Sequence, residues 1–103
     1  MSVDQVFVAL ADPTRRQVLE VLGRAPATAS ALARELPVTR QGILKHLGVL
    51  RDSGLVSGER SGREVRFHVR PEPLFAAASW MTSLAETWDE RLAALKRQAE
   101  RRP

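Results

Sequence analysis

Residues 37–54 read Pro-Val-Thr-Arg-Gln-Gly-Ile-Leu-Lys-His-Leu-Gly-Val-Leu-Arg-Asp-Ser-Gly. The stretch has the marks of a short helix with one apolar and one cationic side. Pro37 biases the residue before it out of the helical region. Thr39 is placed to cap the helix by accepting from an orphan backbone N–H. Ile43, Leu47 and Leu50 recur at helical spacing and are assigned to a core. Arg40, Gln41, Lys45 and Arg51 fall away from that stripe, and Gly54 supplies a C-terminal stop. Such a helix suits a nucleic-acid surface, but amphipathic helices are common. The flanking residues have to decide.

The chain has 103 residues, a net charge of +4 and no cysteine. The length fits one domain spanning 1–103. Residues 39–70 hold seven basic groups (Arg40, Lys45, Arg51, Arg60, Arg63, Arg66, Arg70) against three acidic ones (Asp52, Glu59, Glu64), which equals the whole net charge. Charge clustered in this way favours a polyanionic partner. Disulfides and thiolate metal sites are excluded. No apolar run approaches ~18 residues and nothing resembles a signal peptide, so the expected location is the cytoplasm. Heavy use of Ala and Arg hints at a bacterial, GC-rich genome.

Upstream, Val3, Val6, Phe7 and Leu10 mark a first amphipathic helix. Asp12-Pro13 starts a second, capped by Asp12. It turns Val18, Leu19 and Leu22 inward and is expected to stop at Gly23. Arg15 and Arg16 sit near its start, where a cation opposes the helix dipole. They need a partner, either an internal carboxylate, which is favoured, or an external phosphate. Ala25-Pro26-Ala27 reads as a loop, and Thr28 caps a third helix over about 29–35. That helix, the turn 36–38 and the helix after it form a helix-turn-helix pattern.

Downstream, residues 55–60 and 63–69 flank Ser61-Gly62. Val65, Phe67 and Val69 alternate with Glu64, Arg66 and His68, so the segment reads as a β-hairpin that must lean on the helices. Arg60 and Arg63 bracket its tip, which suits a phosphate backbone or a narrow minor groove. After Pro71-Glu72-Pro73, one helix runs over about 73–98. Leu74, Met81, Trp88 and Leu95 repeat every seven residues, widened by Leu84 and Leu92. A second copy of the chain is the expected cover, with Val3, Val6, Phe7, Leu74, Met81, Leu84, Trp88, Leu92 and Leu95 at a homodimer interface. The tail 96–103 is polar and expected to fray.

The expected fold is mainly α with a small β-hairpin, in the order ααααββα, dimerising through the terminal helices. This order resembles a winged helix-turn-helix repressor of the ArsR type. Three segments carry the resemblance: Leu-Ala-Asp-Pro-Thr-Arg-Arg at 10–16, residues 39–56, and Gly-Arg-Glu-Val-Arg-Phe-His-Val at 62–69. It covers roughly residues 3–75. It implies a homodimeric DNA-binding transcriptional regulator, usually a repressor, with recognition helix 39–51 and wing 57–67. Many such proteins release DNA on binding a metal. Residues 28–36 contain no cysteine and residues 74–98 no histidine, so the chain resembles the branch that works without those metal sites. No metal and no cofactor are expected.

The candidate DNA-binding residues are Thr39, Arg40, Gln41, Leu44, Lys45, His46, Arg60, Arg63 and Arg66. Gln41 is the leading candidate for base readout, Arg40 for a base or phosphate, and Lys45 for a phosphate or guanine. Leu44 stands where similar proteins place a small hydroxyl residue; it either touches a thymine methyl or packs. His46 divides evenly between DNA contact and structure. His68 is expected to be solvated. Gly42 allows a close approach either to DNA or to the third helix, and the second is favoured. Trp80 and Trp88 either line a ligand pocket at the dimer interface or belong to a core, the second being favoured for aromatics at helical spacing. No nucleophile–base pair, phosphate loop or metal cluster points to an enzyme. A winged-helix module that binds an acidic protein surface instead of DNA is the rival reading.

Overall fold

The computed structural model describes residues 2–101. The elements run α1 (Val3–Leu10), α2 (Pro13–Arg24), β1 (Ala27–Thr28), α3 (Ala29–Glu35), α4 (Arg40–Asp52), β2 (Val56–Ser61), β3 (Glu64–Val69) and α5 (Glu72–Glu100). Side chains cap the first four helices. Ser2 and Gln5 form a reciprocal capping box on α1, and Asp12 accepts from the N–H groups of Thr14 and Arg15 on α2. Thr28 accepts from Ala31 on α3, and Thr39 from Gly42 on α4.

The far end of α4 closes with a Schellman motif. Gly54 takes a left-handed φ of 79°, the Gly54 N–H donates to Arg51, and the Leu55 N–H donates to Leu50. The hydroxyl of the buried Ser53 donates to the Leu50 carbonyl at 2.8 Å. Leu50 and Leu55 are both fully buried, so the helix stop and the core are built by the same residues.

The core gathers Val6 and Ala9 of α1, Val18 and Leu22 of α2, Ala29 and Leu32 of α3, and Ile43, Leu47 and Leu50 of α4. Leu55, Val56, Phe67 and Ala77 complete it. The antiparallel sheet has three strands in the order β1-β3-β2. This corrects the expected loop at 25–27: Ala27 pairs with Phe67 and Thr28 with Arg66. Two residues carry no readable alternation, and their partners lie far along the chain. The third strand holds Phe67 in the middle of the sheet. Gly58 makes room beside it, since a Cβ there would sit 2.6 Å from Val65 and 3.1 Å from the Phe67 ring.

Other boundaries shift as well. α2 runs through Gly23 to Arg24. Ser61 pairs with Glu64, so the tight turn is Gly62-Arg63 and not Ser61-Gly62. Gly62 carries a φ of 65° there, at the position where a two-residue hairpin turn calls for glycine. The tail expected to fray is helical to Glu100; Arg102 and Pro103 lie outside the described residues.

α5 has 29 residues, about 43 Å of helix. It docks on α1 near its start, where Phe7 meets Trp80 edge to face at a centroid distance of 5.7 Å. From Ala78 to Arg101 every residue is exposed, and the molecule is drawn out to 74 × 25 × 21 Å.

Two substitutions separate core from cap. Leu47→Ala should lower unfolding free energy by about 2–5 kcal/mol, and Thr39→Ala by about 1 kcal/mol. Urea denaturation followed by far-UV circular dichroism measures both, and equal losses would contradict this account of α4.

Candidate nucleic-acid interface

α4 presents its polar side to solvent because its apolar side is fully used. Ile43, Leu47 and Leu50 are 0–1 % exposed. Thr39, Arg40, Gln41, Leu44 and Lys45 are exposed, and His46 is half-buried. The Arg40 Nε donates to the Ser30 hydroxyl at 3.1 Å. That bond ties the first turn of α4 to α3 across the helix-turn-helix bend. Ser30 was not legible as a site residue, because only the bend brings it near Arg40. Gly42 has an internal reason different from the expected one: a Cβ there would meet Val38 of the preceding turn at 2.8 Å.

Leu44 does not pack inward; it is 39 % exposed on this polar face. Arg60, Arg63 and Arg66 are all exposed on the hairpin. Among the described residues, no carboxylate lies within ion-pair distance of Lys45, Arg60, Arg63 or Arg66. The three arginines do not share one face. Arg60 is registered opposite Val65 and Arg66 opposite Glu59, so the first two project on opposite sides of the ribbon and Arg63 sits in the turn. His68 is not simply solvated: its Nε2 lies 2.9 Å from the Ser57 hydroxyl, its registered neighbour across the strands.

Arg15 and Arg16 are occupied. Arg15 donates from Nε to the Ala9 carbonyl at 2.7 Å and from a terminal nitrogen to Val8 at 3.0 Å. Arg16 donates to Leu10 at 2.6 Å. These bonds answer the orphan carbonyls and negative dipole end of α1. Arg15 also lies 3.9 Å from the Asp12 carboxylate, so the internal partner is real, though mostly a helix end. Burial alone would raise the pKa of Asp12. The N–H groups of Arg15 and Thr14, with the nearby charges of His46 and Arg15, outweigh it and hold the carboxyl below its ordinary 3.8.

The expected interface residues divide. Val6 is 1 % exposed inside the protomer's own core, which removes it from any contact with a second copy; α1 needs it to pack. Val3, Phe7 and Leu74 are half-buried against that core. Met81, Leu84, Trp88, Leu92 and Leu95 are all exposed along α5, and Arg91 lies over the Trp88 ring at 5.9 Å. No helix is long and apolar enough to cross a membrane, and no His, Asp or Glu residues form a group that could hold a metal ion, both among the described residues.

This geometry matches known proteins. Residues 10–59 match the family described as a helix-turn-helix domain. An ArsR-like transcriptional regulator from Rhodococcus sp. RHA1 superposes with a TM-score of 0.92 at 44 % identity, covering 98 % of this chain and 93 % of that one. The HTH-type transcriptional regulator Rv2034 of Mycobacterium tuberculosis is 36 % identical over 88 % of this chain and 82 % of its own length. The chain belongs to the ArsR family of winged helix-turn-helix regulators. The transcriptional repressor SdpR of Bacillus subtilis is also similar, at 28 % identity over 87 % of this chain and all of its own. As an ArsR-family member, the chain is a DNA-binding transcriptional regulator and not an enzyme.

The lowered pKa of Asp12 sets a pH dependence. A carboxylate whose folded pKa lies below its unfolded one stabilises the fold above the unfolded value, and that contribution is lost as pH falls through the folded value. In urea melts between about pH 6 and about pH 2.5, Asp12→Asn should flatten the acid limb of the stability curve. An acid limb identical to wild type would show that this cap carries no linkage.

Proposed function

We propose that the chain acts in the cytoplasm as a homodimeric repressor. In this reading it is one domain, 1–103, with the winged helix-turn-helix over 3–70 and the dimerisation helix over 73–98. The observation that carries the reading is the apolar stripe of α5. Five large apolar residues between Met81 and Leu95 stand exposed on one helix. A contiguous patch of this kind marks an association surface, and a second α5 with the same pattern is its natural complement.

Two-fold pairing places two α4 helices for successive major grooves about 34 Å apart. A palindromic operator follows from the symmetry, and the bound dimer blocks a promoter. Thr39, Arg40, Gln41, Leu44, Lys45 and His46 face the groove, with Gln41 reading a base edge and Lys45 neutralising a phosphate. Arg60 and Arg63 hold the backbone beside it, and Arg66, opposite Glu59, contributes less. The relative named a repressor in Bacillus supports the direction of control. No metal or cofactor enters this mechanism: a thiolate sensor needs cysteine, and the chain has none.

Three substitutions test the reading. Trp88→Glu should convert the dimer to monomer in sedimentation equilibrium and weaken operator binding at least ten-fold; a wild-type monomer would overturn the proposal. Arg63→Ala should weaken binding to all duplexes and lower the log–log salt slope by about 0.9 for one lost phosphate contact. Gln41→Ala should instead relax base preference at one position of each half-site, as read by competition gel shift.

A further inference from the structure

Two features of α4 are unexplained by the fold. Leu44 is a large aliphatic side chain left 39 % exposed among Arg40, Gln41 and Lys45. One turn on, at i+4 and therefore on the same side of the helix, stands Gly48. Glycine is the least favoured residue inside a helix after proline. Gly42 earns its place through the 2.8 Å approach of Val38, but a Cβ on Gly48 would meet nothing within 4 Å. No described residue of the protomer requires the missing side chain. The space over Gly48 is open, so a partner surface can come close to the bare backbone beside Leu44.

This inference rests on α4 being the helix that enters the major groove. The base edges there are donors and acceptors, with one apolar exception, the C5-methyl group of thymine. An exposed leucine beside a bare patch of backbone is matched to that group and to no other on the groove floor. We propose that Leu44 and the backbone at Gly48 form a shallow apolar seat for one thymine methyl in each half-site. Operator recognition then depends on a methyl group, in addition to the hydrogen-bonding edge read by Gln41.

The probe is a duplex recovered by the full-length protein from a randomised pool. Each thymine of one half-site is replaced in turn by uracil, which removes the methyl and leaves the pairing edge intact. At one position, uracil should weaken wild-type binding about four-fold, the effect of burying one methyl-sized group. Leu44→Ala should bind the thymine probe more weakly and show no thymine–uracil difference. Gly48→Ala should move two properties in opposite directions, raising the thermal midpoint while weakening binding several-fold; the midpoint also shows that the variant is folded. Equal binding of thymine and uracil probes at every position overturns the proposal, and so does discrimination retained by Leu44→Ala. A half-site without thymine, or full affinity in Gly48→Ala, overturns it as well. Those outcomes leave DNA reading by α4 intact. Failure to recover any selective duplex removes that reading and this proposal together.

Discussion

The rest of the molecule depends on the burial of three side chains, Ile43, Leu47 and Leu50. Each contributes on the order of 1.5–3 kcal/mol by leaving water, and together they orient α4. α1, α2 and α3 close over that stripe, and β2 follows directly from the Schellman turn at Gly54. Once the apolar side is committed inward, Gln41, Leu44 and Lys45 have only solvent or a partner to face. The exposed polar face of α4 is therefore a consequence of the core. It cannot be rotated out of place without exposing fully buried leucines.

The cations divide into two groups with different physical roles. Arg15 and Arg16 are spent on the carbonyl end of α1, and Arg24 and Arg70 lie near carboxylates. Lys45, Arg60, Arg63 and Arg66 have no such partner among the described residues. Arg34, Lys96 and Arg97 lack an ion pair among the described residues as well, so what distinguishes Lys45, Arg60, Arg63 and Arg66 is their gathering on one helix face and the adjoining hairpin. In the proposed function, electrostatic attraction for the phosphate backbone supplies affinity, while the short row from Gln41 to Gly48 supplies selectivity. The two functions sit on different elements, so they can be altered separately.

Much of this was legible in residues 37–54 alone. Spacing marked the core stripe, and Thr39 and Gly54 marked the ends of α4. The alternation Val65, Phe67, Val69 marked the wing, and the long apolar repeat marked α5. What escaped was whatever joins residues distant in sequence. β1 exists because Ala27 and Thr28 meet Phe67 and Arg66, and two residues show no period. Ser30 gains its role only when the bend brings Arg40 to it. Val6 shares the helical pattern of Val3 and Phe7, and nothing local says that it alone is sealed within the protomer.

The sequence by itself determined every element except β1, with their order and polarity, because helical and strand periods are local and apolar residues must leave water. It also placed the excess positive charge and ruled out thiolate chemistry. Tertiary structure alone decided which arginines remained free, since a guanidinium beside a helix end looks the same in sequence as one awaiting phosphate. It decided that His68 bonds Ser57 and that Leu44 stands exposed. It also separated Gly42, needed by its own turn, from Gly48, which nothing within the protomer requires. The reason is the same in each case: packing is a relation between distant parts of the chain, and a pattern along the chain records only one side of it.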